Sequence, residues 1–257
     1  MASALPAVQM LWVEGPLSQL ERLSIASFLA HGYAVHLYTY GIDGEVPRGT
    51  TLMDAGEIVA PSERFSLSQA DGFGSVAPFS NRFRYKLLYE RGGIWCDSDI
   101  VLLKPLGFLS GQDYWFASEY WIEDGEKKRM TAKVASCFLK APRGSEAMRE
   151  CYERALATDV GSAEWGATGA KLVADVVSRR RLGDSVLKPN VICPVACWDF
   201  TKLLSGMHTL PSDAYAIHFY NEMLRRNFFD KDAAYEPLCI YERLKAHYLK
   251  RTGSGLR

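Results

Sequence analysis

Long apolar runs are missing from this 257-residue chain, and so is a basic N-terminal leader. A membrane-spanning helix needs about 20 consecutive apolar residues, and no stretch approaches that length. The opening residues MASALPAVQMLWVEG lack the positive charges that begin a signal peptide. These two absences predict a soluble protein of the cytoplasm.

Net charge and cysteine are also scarce. Lysine plus arginine and aspartate plus glutamate both number 30, so no overall positive field attracts nucleic acid, and none is expected as a partner. The six cysteines are too few for a disulfide scaffold, and their spacing completes no zinc motif. We expect free thiols in a reducing compartment.

Strand-like and helix-like segments alternate along the chain, which predicts a single α/β domain. No linker is long enough to divide it. Helices are expected from the Gly15-Pro16 pair to Gly32, from Phe79 to Gly92, and over residues 145–156 and 168–178. Strands are expected over residues 7–13, 33–40, 57–60 and 215–219 and near Val191.

The stretch GFGSVA, residues 72–77, matches the dinucleotide fingerprint G-x-G-x-x-A. That fingerprint requires a strand directly before it and a helix starting within it. Here the preceding residues SLSQAD are polar and Pro78 follows. We interpret the stretch as a flexible glycine loop beside a ligand cleft rather than as a dinucleotide site.

Two carboxylates, Asp97 and Asp99, follow the apolar stretch Ile94-Trp95-Cys96. On an extended chain they point to the same side and repel each other unless a cation lies beside them. Hard divalent cations bind oxygen and often bridge carboxylates to phosphates. A Mg²⁺ or Mn²⁺ site presenting a pyrophosphate is one interpretation, and a β-turn with two solvated aspartates is the other. The position after a strand favours the metal, because ligands gather at the carboxyl ends of strands.

The helix before this strand carries Ser80, Asn81 and Arg84. Asn81 and Arg84 are three residues apart, so they share a helical face and could reach one ligand together. A surface arginine and an asparagine in the first helical turn are the alternative.

Residues 79–105, FSNRFRYKLLYERGGIWCDSDIVLLKP, resemble the signature of the glycosyltransferases with a DxD sugar-binding motif. This retaining group includes initiating α-1,6-mannosyltransferases, α-1,4-galactosyltransferases and clostridial glucosylating toxins. Residues 11–40 resemble the family's first strand, helix and second strand, and WGATGAKLV, residues 165–173, resembles its T-G-P segment. The resemblance therefore covers most of the chain.

The resemblance implies a GT-A-type fold with a single Rossmann-like mixed sheet flanked by helices. Residues 1–105 would form the nucleotide-sugar-binding half and residues 106–240 the acceptor-side half. Residues 241–257 would form a basic C-terminal tail.

The family's roles carry over to several residues. Asp99 would bind the metal, Asp97 the ribose and donor sugar, with a contact to the metal through water, and Arg84 the donor sugar or its phosphate. Ser80 is also expected to bind the donor. Asn81 stands where the family usually has Asp, so the donor preference of relatives does not transfer.

Three further donor contacts are expected at the two ends of the chain. Trp12 lies where the family's first strand contacts the nucleotide base, and a tryptophan of the hydrophobic core is an equally good interpretation. Asn221 and Arg225 follow His218, and Arg225 with Arg226 could neutralise a leaving diphosphate or form a solvated face.

His218 lies in an apolar strand, where the usual interpretation is a core residue with a satisfied hydrogen bond. The family has a histidine at a similar place, which makes His218 a candidate third metal ligand. Imidazole with carboxylates suits Mn²⁺ as well as Mg²⁺.

The implied reaction is the metal-dependent, retaining transfer of a hexose or N-acetylhexosamine. The donor would be a nucleotide sugar, with UDP as the favoured carrier, and the acceptor a glycan, glycolipid or protein in surface polysaccharide synthesis. Same-face attack assisted by the leaving phosphate is preferred to a covalent intermediate, for which Glu119 is a conceivable nucleophile.

Two other functions stay open. A sugar-nucleotide-binding protein without turnover is compatible with Asn81, while the intact Asp97 and Asp99 speak against it. A metal-dependent nucleotidyl- or phosphotransferase would usually need a G-x-x-x-x-G-K-S/T loop, which the sequence lacks.

The segment YERLKAHYLKR, residues 241–251, is basic, with apolar Leu244, Tyr248 and Leu249. It is a candidate for peripheral contact with anionic lipid at the inner membrane. A solvated C-terminal helix is the alternative.

Overall fold

The computed structural model describes residues 6–67, 74–123, 129–164 and 166–249. Its strands are β1 (Val8–Leu11), β2 (Val35–Thr39), β3 (Thr50–Asp54), β4 (Gly93–Cys96), β5 (Ile100–Leu102), β6 (Trp115–Glu123), β7 (Arg129–Ala141) and β8 (Ala216–His218). Its α-helices are α1 (Gln19–Ala30), α2 (Ala77–Arg91), α3 (Glu146–Ala157), α4 (Ala170–Arg179), α5 (Pro189–Ile192), α6 (Asn221–Arg226) and α7 (Ile240–Tyr248).

Six strands form a mixed central sheet in the order β3-β2-β1-β4-β7-β6. The first four are parallel, and β7 and β6 join antiparallel. All four residues of β1 are buried, as expected for a parallel strand covered on both faces. The expected α/β architecture, one mixed central sheet flanked by helices, is confirmed.

Helix α1 begins later than the sequence predicted. Ser18 accepts a hydrogen bond from the Leu20 N–H, and the Glu21 carboxylate accepts one from the Ser18 N–H. This reciprocal capping fixes the start at Gln19, beyond Pro16. The end agrees with the prediction, because Gly32 takes the left-handed conformation (φ +81°) that terminates many helices.

Two predicted strands are wrong. Residues 55–57 form a 3-10 turn, and the edge strand lies earlier, at β3, where most side chains are at least partly exposed and give no apolar pattern. Around Val191 the chain forms the short helix α5, since Pro189 at its first position is already set in a helical φ. The long β6–β7 hairpin was not predicted.

Two glycines direct the chain from α2 into β4. Gly92 has φ +67°, and a Cβ there would lie 2.4 Å from the Arg143 backbone nitrogen. Gly93 has φ +96°. Only glycine tolerates both this geometry and this crowding. The reversal delivers β4 into the buried centre of the sheet, so that Asp97 emerges at its carboxyl edge.

A second, two-stranded sheet pairs β5 with β8 in antiparallel register, with Ile100 opposite His218. Two serines of α1 anchor β5: the Ser24 hydroxyl donates to the Ile100 carbonyl at 2.6 Å, and the Ser27 hydroxyl accepts from the Leu102 N–H at 2.8 Å. This register brings the C-terminal half of the chain to the carboxylate pair.

Helix α7 packs against α1. The Tyr248 hydroxyl donates to the Leu102 carbonyl at 2.9 Å, and Lys245 is buried with its ammonium donating to the Ala233 carbonyl. Part of the apolar side on which the expected lipid contact depended therefore faces the protein. Residues 250–257 of that segment lie outside the described residues. Within the described ranges, every helix is too short or too polar to cross a bilayer.

Candidate active site

The Asp97-Ser98-Asp99 segment is a tight turn between β4 and β5, closed by a hydrogen bond from the Ile100 N–H to the Asp97 carbonyl at 3.2 Å. The extended backbone expected here is therefore wrong. The turn nevertheless brings both carboxylates towards one imidazole, that of His218.

Asp99 is held by the C-terminal half of the chain. Its Oδ2 lies 3.3 Å from His218 Nε2 and accepts the Asn221 N–H at 2.6 Å. Asn221 thus meets the carboxylate through its backbone, at the first residue of α6. Tyr220, with φ +53°, makes the sharp turn that aims this N–H, and its ring lies 4.2 Å from the His218 ring.

Asp97 is held by the N-terminal half. Its Oδ1 accepts from the Trp95 indole N–H at 2.7 Å and lies 3.1 Å from Arg84 Nη2. Arg84 is buried, and its guanidinium also bonds the Ser80 hydroxyl and the Ser136 carbonyl. The same group lies 5.0 Å above the Trp95 ring, so Arg84 is fixed on several sides. The role of Trp95 was not predicted.

The pKa values of the two carboxyls are shifted in opposite directions. Burial raises the pKa of Asp97, and Asp99 adds to the rise, although Arg84 opposes it. Burial alone would also raise the pKa of Asp99, but His218 and the Asn221 N–H outweigh burial and hold that pKa below its usual value. Burial would lower the pKa of His218, yet Asp99 raises it well above the usual range. Arg84 and His218 therefore counter the repulsion between the carboxylates.

Asp97, Asp99 and His218 can present one ligand atom each, all within 4.8 Å of one another. Two ligands on opposite sides of a Mg²⁺ ion lie about 4.2 Å apart, so small side-chain movements close this set around one cation. Two carboxylate oxygens and one imidazole nitrogen suit Mg²⁺ or Mn²⁺. The residues present fit a divalent cation.

Asn81 and Ser80 lie on the same side of α2 as Arg84. The buried Asn81 amide donates to the Thr168 hydroxyl at 3.2 Å, and a Cβ on Gly169 would lie 3.1 Å from Asn81 Nδ2. The Thr168-Gly169 pair belongs to the segment that resembled the family's T-G-P. Ser80 contacts the site indirectly, through Arg84.

Trp12 and Arg225 have other partners. The Trp12 indole donates to the Gly15 carbonyl at 3.1 Å, at the end of β1 that is parallel to β4 and therefore at the same sheet edge as Asp97. Arg225 pairs with Glu222 at 2.7 Å, as does the neighbouring Arg226. The two arginines thus lie about one helical turn beyond Asn221, and both are paired with the Glu222 carboxylate.

Glu119 lies on β6 opposite Lys133 of β7. Burial raises its pKa, while His218 and Lys133 oppose the rise, so Glu119 lies within electrostatic reach of the site. The nearby Trp121 ring carries the Lys133 ammonium 3.4 Å from its centroid. Residues 124–128, between β6 and β7, lie outside the described residues.

Comparisons with known proteins match the segment that carries the two carboxylates. Residues 71–121 match a family model described as the glycosyltransferase sugar-binding region containing the DXD motif. This range includes α2, β4, the Asp97–Asp99 turn and the start of β6. No curated protein matches the chain.

Among solved structures, the PaToxG glycosyltransferase is similar, with a TM-score of 0.47 and 12% sequence identity. The similarity covers 70% of this chain and 71% of the PaToxG chain. The glycosyltransferase GlyE of Streptococcus pneumoniae TIGR4 is similar with a TM-score of 0.44 and 13% identity, covering 96% of this chain. The chain spans 64% of GlyE's length. Neither similarity bears on substrate. The family match is confined to residues 71–121, and this segment is similar to the DXD-containing sugar-binding region of glycosyltransferases.

Proposed function

We propose that this protein is a divalent-metal-dependent, retaining glycosyltransferase. It would transfer a hexose or N-acetylhexosamine from a nucleotide sugar, with UDP the favoured carrier, to a glycan, glycolipid or protein acceptor. Surface polysaccharide synthesis, in the cytoplasm or at the inner face of a membrane, is the setting that we propose.

One observation carries the proposal. Within the matched sugar-binding region, Asp97 and Asp99 converge with His218, which comes from a strand 119 residues further on, into a set of oxygen and nitrogen donors. A solvated turn would not need a buried arginine, an indole N–H and a helix-start N–H to hold its carboxylates. Such support is typical of a site that must keep two acids close together.

Each residue has a role in this proposal. Asp99, Asp97 and His218 would hold Mn²⁺ or Mg²⁺, and Asp97 would also contact the ribose and donor sugar. A bound cation supplies positive charge that stabilises a departing diphosphate as a Lewis acid. Arg84 orients Asp97 and presents positive charge to the donor.

The remaining donor contacts surround this centre. Asn81 and Ser80 would bind the sugar from α2, and Trp12 the base from the end of β1. Asn221 and Arg225 of α6 would meet the diphosphate, Arg225 through the positive charge of its guanidinium. Arg225 would have to share Glu222 with Arg226 to do so.

Same-face attack is the proposed route, with the leaving phosphate taking the acceptor proton. Glu119 has a raised pKa and faces Lys133, which fits a half-buried structural acid as well as it fits a nucleophile. We further propose that residues 1–257 act as one domain, in which residues 1–105 bind the donor and residues 106–240 the acceptor.

The test is release of nucleoside diphosphate from a panel of sugar nucleotides, with Mn²⁺ or with EDTA. Asp99→Asn is compared with Asp113→Asn, the same change at an exposed position. We expect one donor to turn over only with metal, Asp99→Asn to be inactive and Asp113→Asn to match the wild type. An α-linked product from an α-linked donor, by proton NMR, would establish retention.

Calorimetric titration with UDP in Mn²⁺ gives a readout that needs no acceptor. Binding that depends on metal and on Asp99, without turnover of any donor, would support a sugar-nucleotide-binding protein instead. Absence of both binding and turnover would contradict the proposal.

A further inference from the structure

His218 has a second set of neighbours on the side away from Asp99. Cys193 Sγ lies 3.9 Å from His218 Nδ1, and Cys137 Sγ lies 3.9 Å from Cys193 Sγ. Cys137 comes from β7 and Cys193 directly follows α5, so residues 56 positions apart meet here. Both cysteines are buried free thiols. The sequence spacing gave no sign of this cluster.

The spacing of the sulfurs distinguishes two uses of a thiol pair. A disulfide needs its sulfurs about 2.05 Å apart, so this pair would have to close by nearly half its separation. Two thiolates that share a tetrahedral zinc ion, each about 2.3 Å from it, lie about 3.8 Å apart. The observed 3.9 Å therefore fits chelation without movement of either side chain.

Charge and ligand type agree with a soft cation. Two thiolates and a neutral imidazole around Zn²⁺ sum to zero charge, which suits a site with both sulfurs buried. Thiolate ligands favour zinc and cadmium, whereas carboxylates favour magnesium and manganese. The two ring nitrogens of His218 thus belong to different ligand sets: Nδ1 lies beside the two thiols and Nε2 beside the carboxylates.

The other ring nitrogen of His218 is positioned as zinc-binding histidines require. A histidine that binds zinc usually donates its remaining N–H to a carboxylate, which fixes the tautomer and the ring. His218 Nε2 lies 3.3 Å from Asp99 Oδ2, and Asp99 is buried and anchored by the Asn221 N–H. With Nδ1 on a cation, Nε2–H would donate to this carboxylate.

We propose that Cys137, Cys193 and Nδ1 of His218 form a second metal site, for a soft divalent cation of the zinc class, directly behind the carboxylate pair. The site has three protein ligands, which leaves a fourth position for water. Its existence does not depend on the proposed function.

One consequence does rest on the proposed function. A neutral imidazole carries one N–H, so His218 cannot give Nε2 to a second cation while Nδ1 binds zinc unless it loses that proton. Zinc at the thiols would therefore compete with Mn²⁺ for the same residue. Added zinc would then weaken metal-dependent nucleotide binding.

The experiment uses the full chain, reduced with a phosphine and titrated with Cd²⁺ alone. We expect the ultraviolet thiolate-to-cadmium absorption to saturate at one ion per chain and to be displaced by Zn²⁺. Cys193→Ser and Cys137→Ser should each abolish it. Cys151→Ser, the same change in a buried cysteine of α3, should retain it, and so should Asp97→Asn.

X-ray absorption of the zinc-loaded wild type keeps the test independent of how the variants fold. Two sulfur neighbours at about 2.3 Å, with nitrogen or oxygen in the remaining positions, would support the site. No thiolate absorption in the reduced wild type, absorption that persists in Cys193→Ser, or a zinc shell without sulfur would overturn it. Retained cadmium binding in a chain that binds no nucleotide would defeat only the proposed function.

Discussion

Asp97 and Asp99 are separated by one residue but belong to different halves of the molecule. Asp97 is bound by Trp95 and Arg84, whose positions follow from the local α2–β4 reversal. Asp99 is bound by His218 and the Asn221 N–H, which are brought there by the β5–β8 register. Burial raises the pKa of Asp97, whereas these partners lower the pKa of Asp99. Two aspartates of one motif thus differ in pKa because their partners come from different parts of the chain.

Removing one carboxylate at a time should show this inequality most strongly. The Asp99 side chain is 8% exposed and the Asp97 side chain 27%. Asp99→Ala leaves His218 buried without its partner, so we expect the free energy of unfolding to fall by about 3 kcal/mol. Asp97→Ala should cost less, about 2 kcal/mol, because Asp97 is partly solvated and the buried Arg84 keeps its bonds to Ser80 and Ser136. Urea denaturation measures both, and equal losses would contradict the comparison.

The next largest effect is expected on activity, when Arg84, a partner of Asp97, is replaced. Arg84→Lys keeps the charge but loses the planar group that bonds Asp97, Ser80 and Ser136 at once. We expect a loss of about 100-fold in kcat/KM, with metal affinity changed less than nucleotide affinity. Arg149→Lys, on the exposed face of α3, is the matched control and should change neither.

A smaller effect is expected from Trp95→Phe. The change removes the indole N–H that donates to Asp97 and retains an aromatic ring in the core. One lost charge-assisted hydrogen bond is worth about 1.5 kcal/mol, so metal-dependent UDP affinity should fall about tenfold. Calorimetry is the measurement, and Trp198→Phe on an exposed tryptophan is the control. Unchanged affinity would mean that Arg84 alone positions Asp97.

The smallest effect concerns Asn81, where the family usually has aspartate. Asn81→Asp keeps the size of the side chain but replaces its amide donor to Thr168 with a charge. We expect the ranking of sugar donors to change by a few-fold, while Mn²⁺ affinity is retained. Competition between pairs of sugar nucleotides measures the ranking. An unchanged ranking would show that Asn81 supports the Thr168 segment and does not touch the sugar.

The sequence was informative where partners are local. Residues 79–105 predicted α2, the glycine reversal, the buried strand and the carboxylate pair, because helix period, glycine punctuation and the signature all lie in one segment. The capping box displaced the start of α1, and the exposed edge strand β3 had no apolar pattern to read.

Long-range pairing explains the rest. The approach of Cys137 to Cys193 depends on α5 packing against the β6–β7 hairpin, and the Asn221 contact depends on the strained turn at Tyr220. The local secondary-structure propensity of the sequence predicts neither contact. His218 was predicted only as a family resemblance, since a histidine in an apolar strand by itself indicates a core residue.

The 122-residue separation between Asp99 and its Asn221 partner sets an order of events during synthesis. At about 5–20 residues per second, a ribosome needs roughly 6–24 s to travel between them. Throughout that interval Asp97 can acquire Trp95 and Arg84, whereas Asp99 has neither His218 nor the α6 N–H. The nascent chain therefore carries half of a cation site well before the other half exists, and the centre is completed only after residue 221 has been translated.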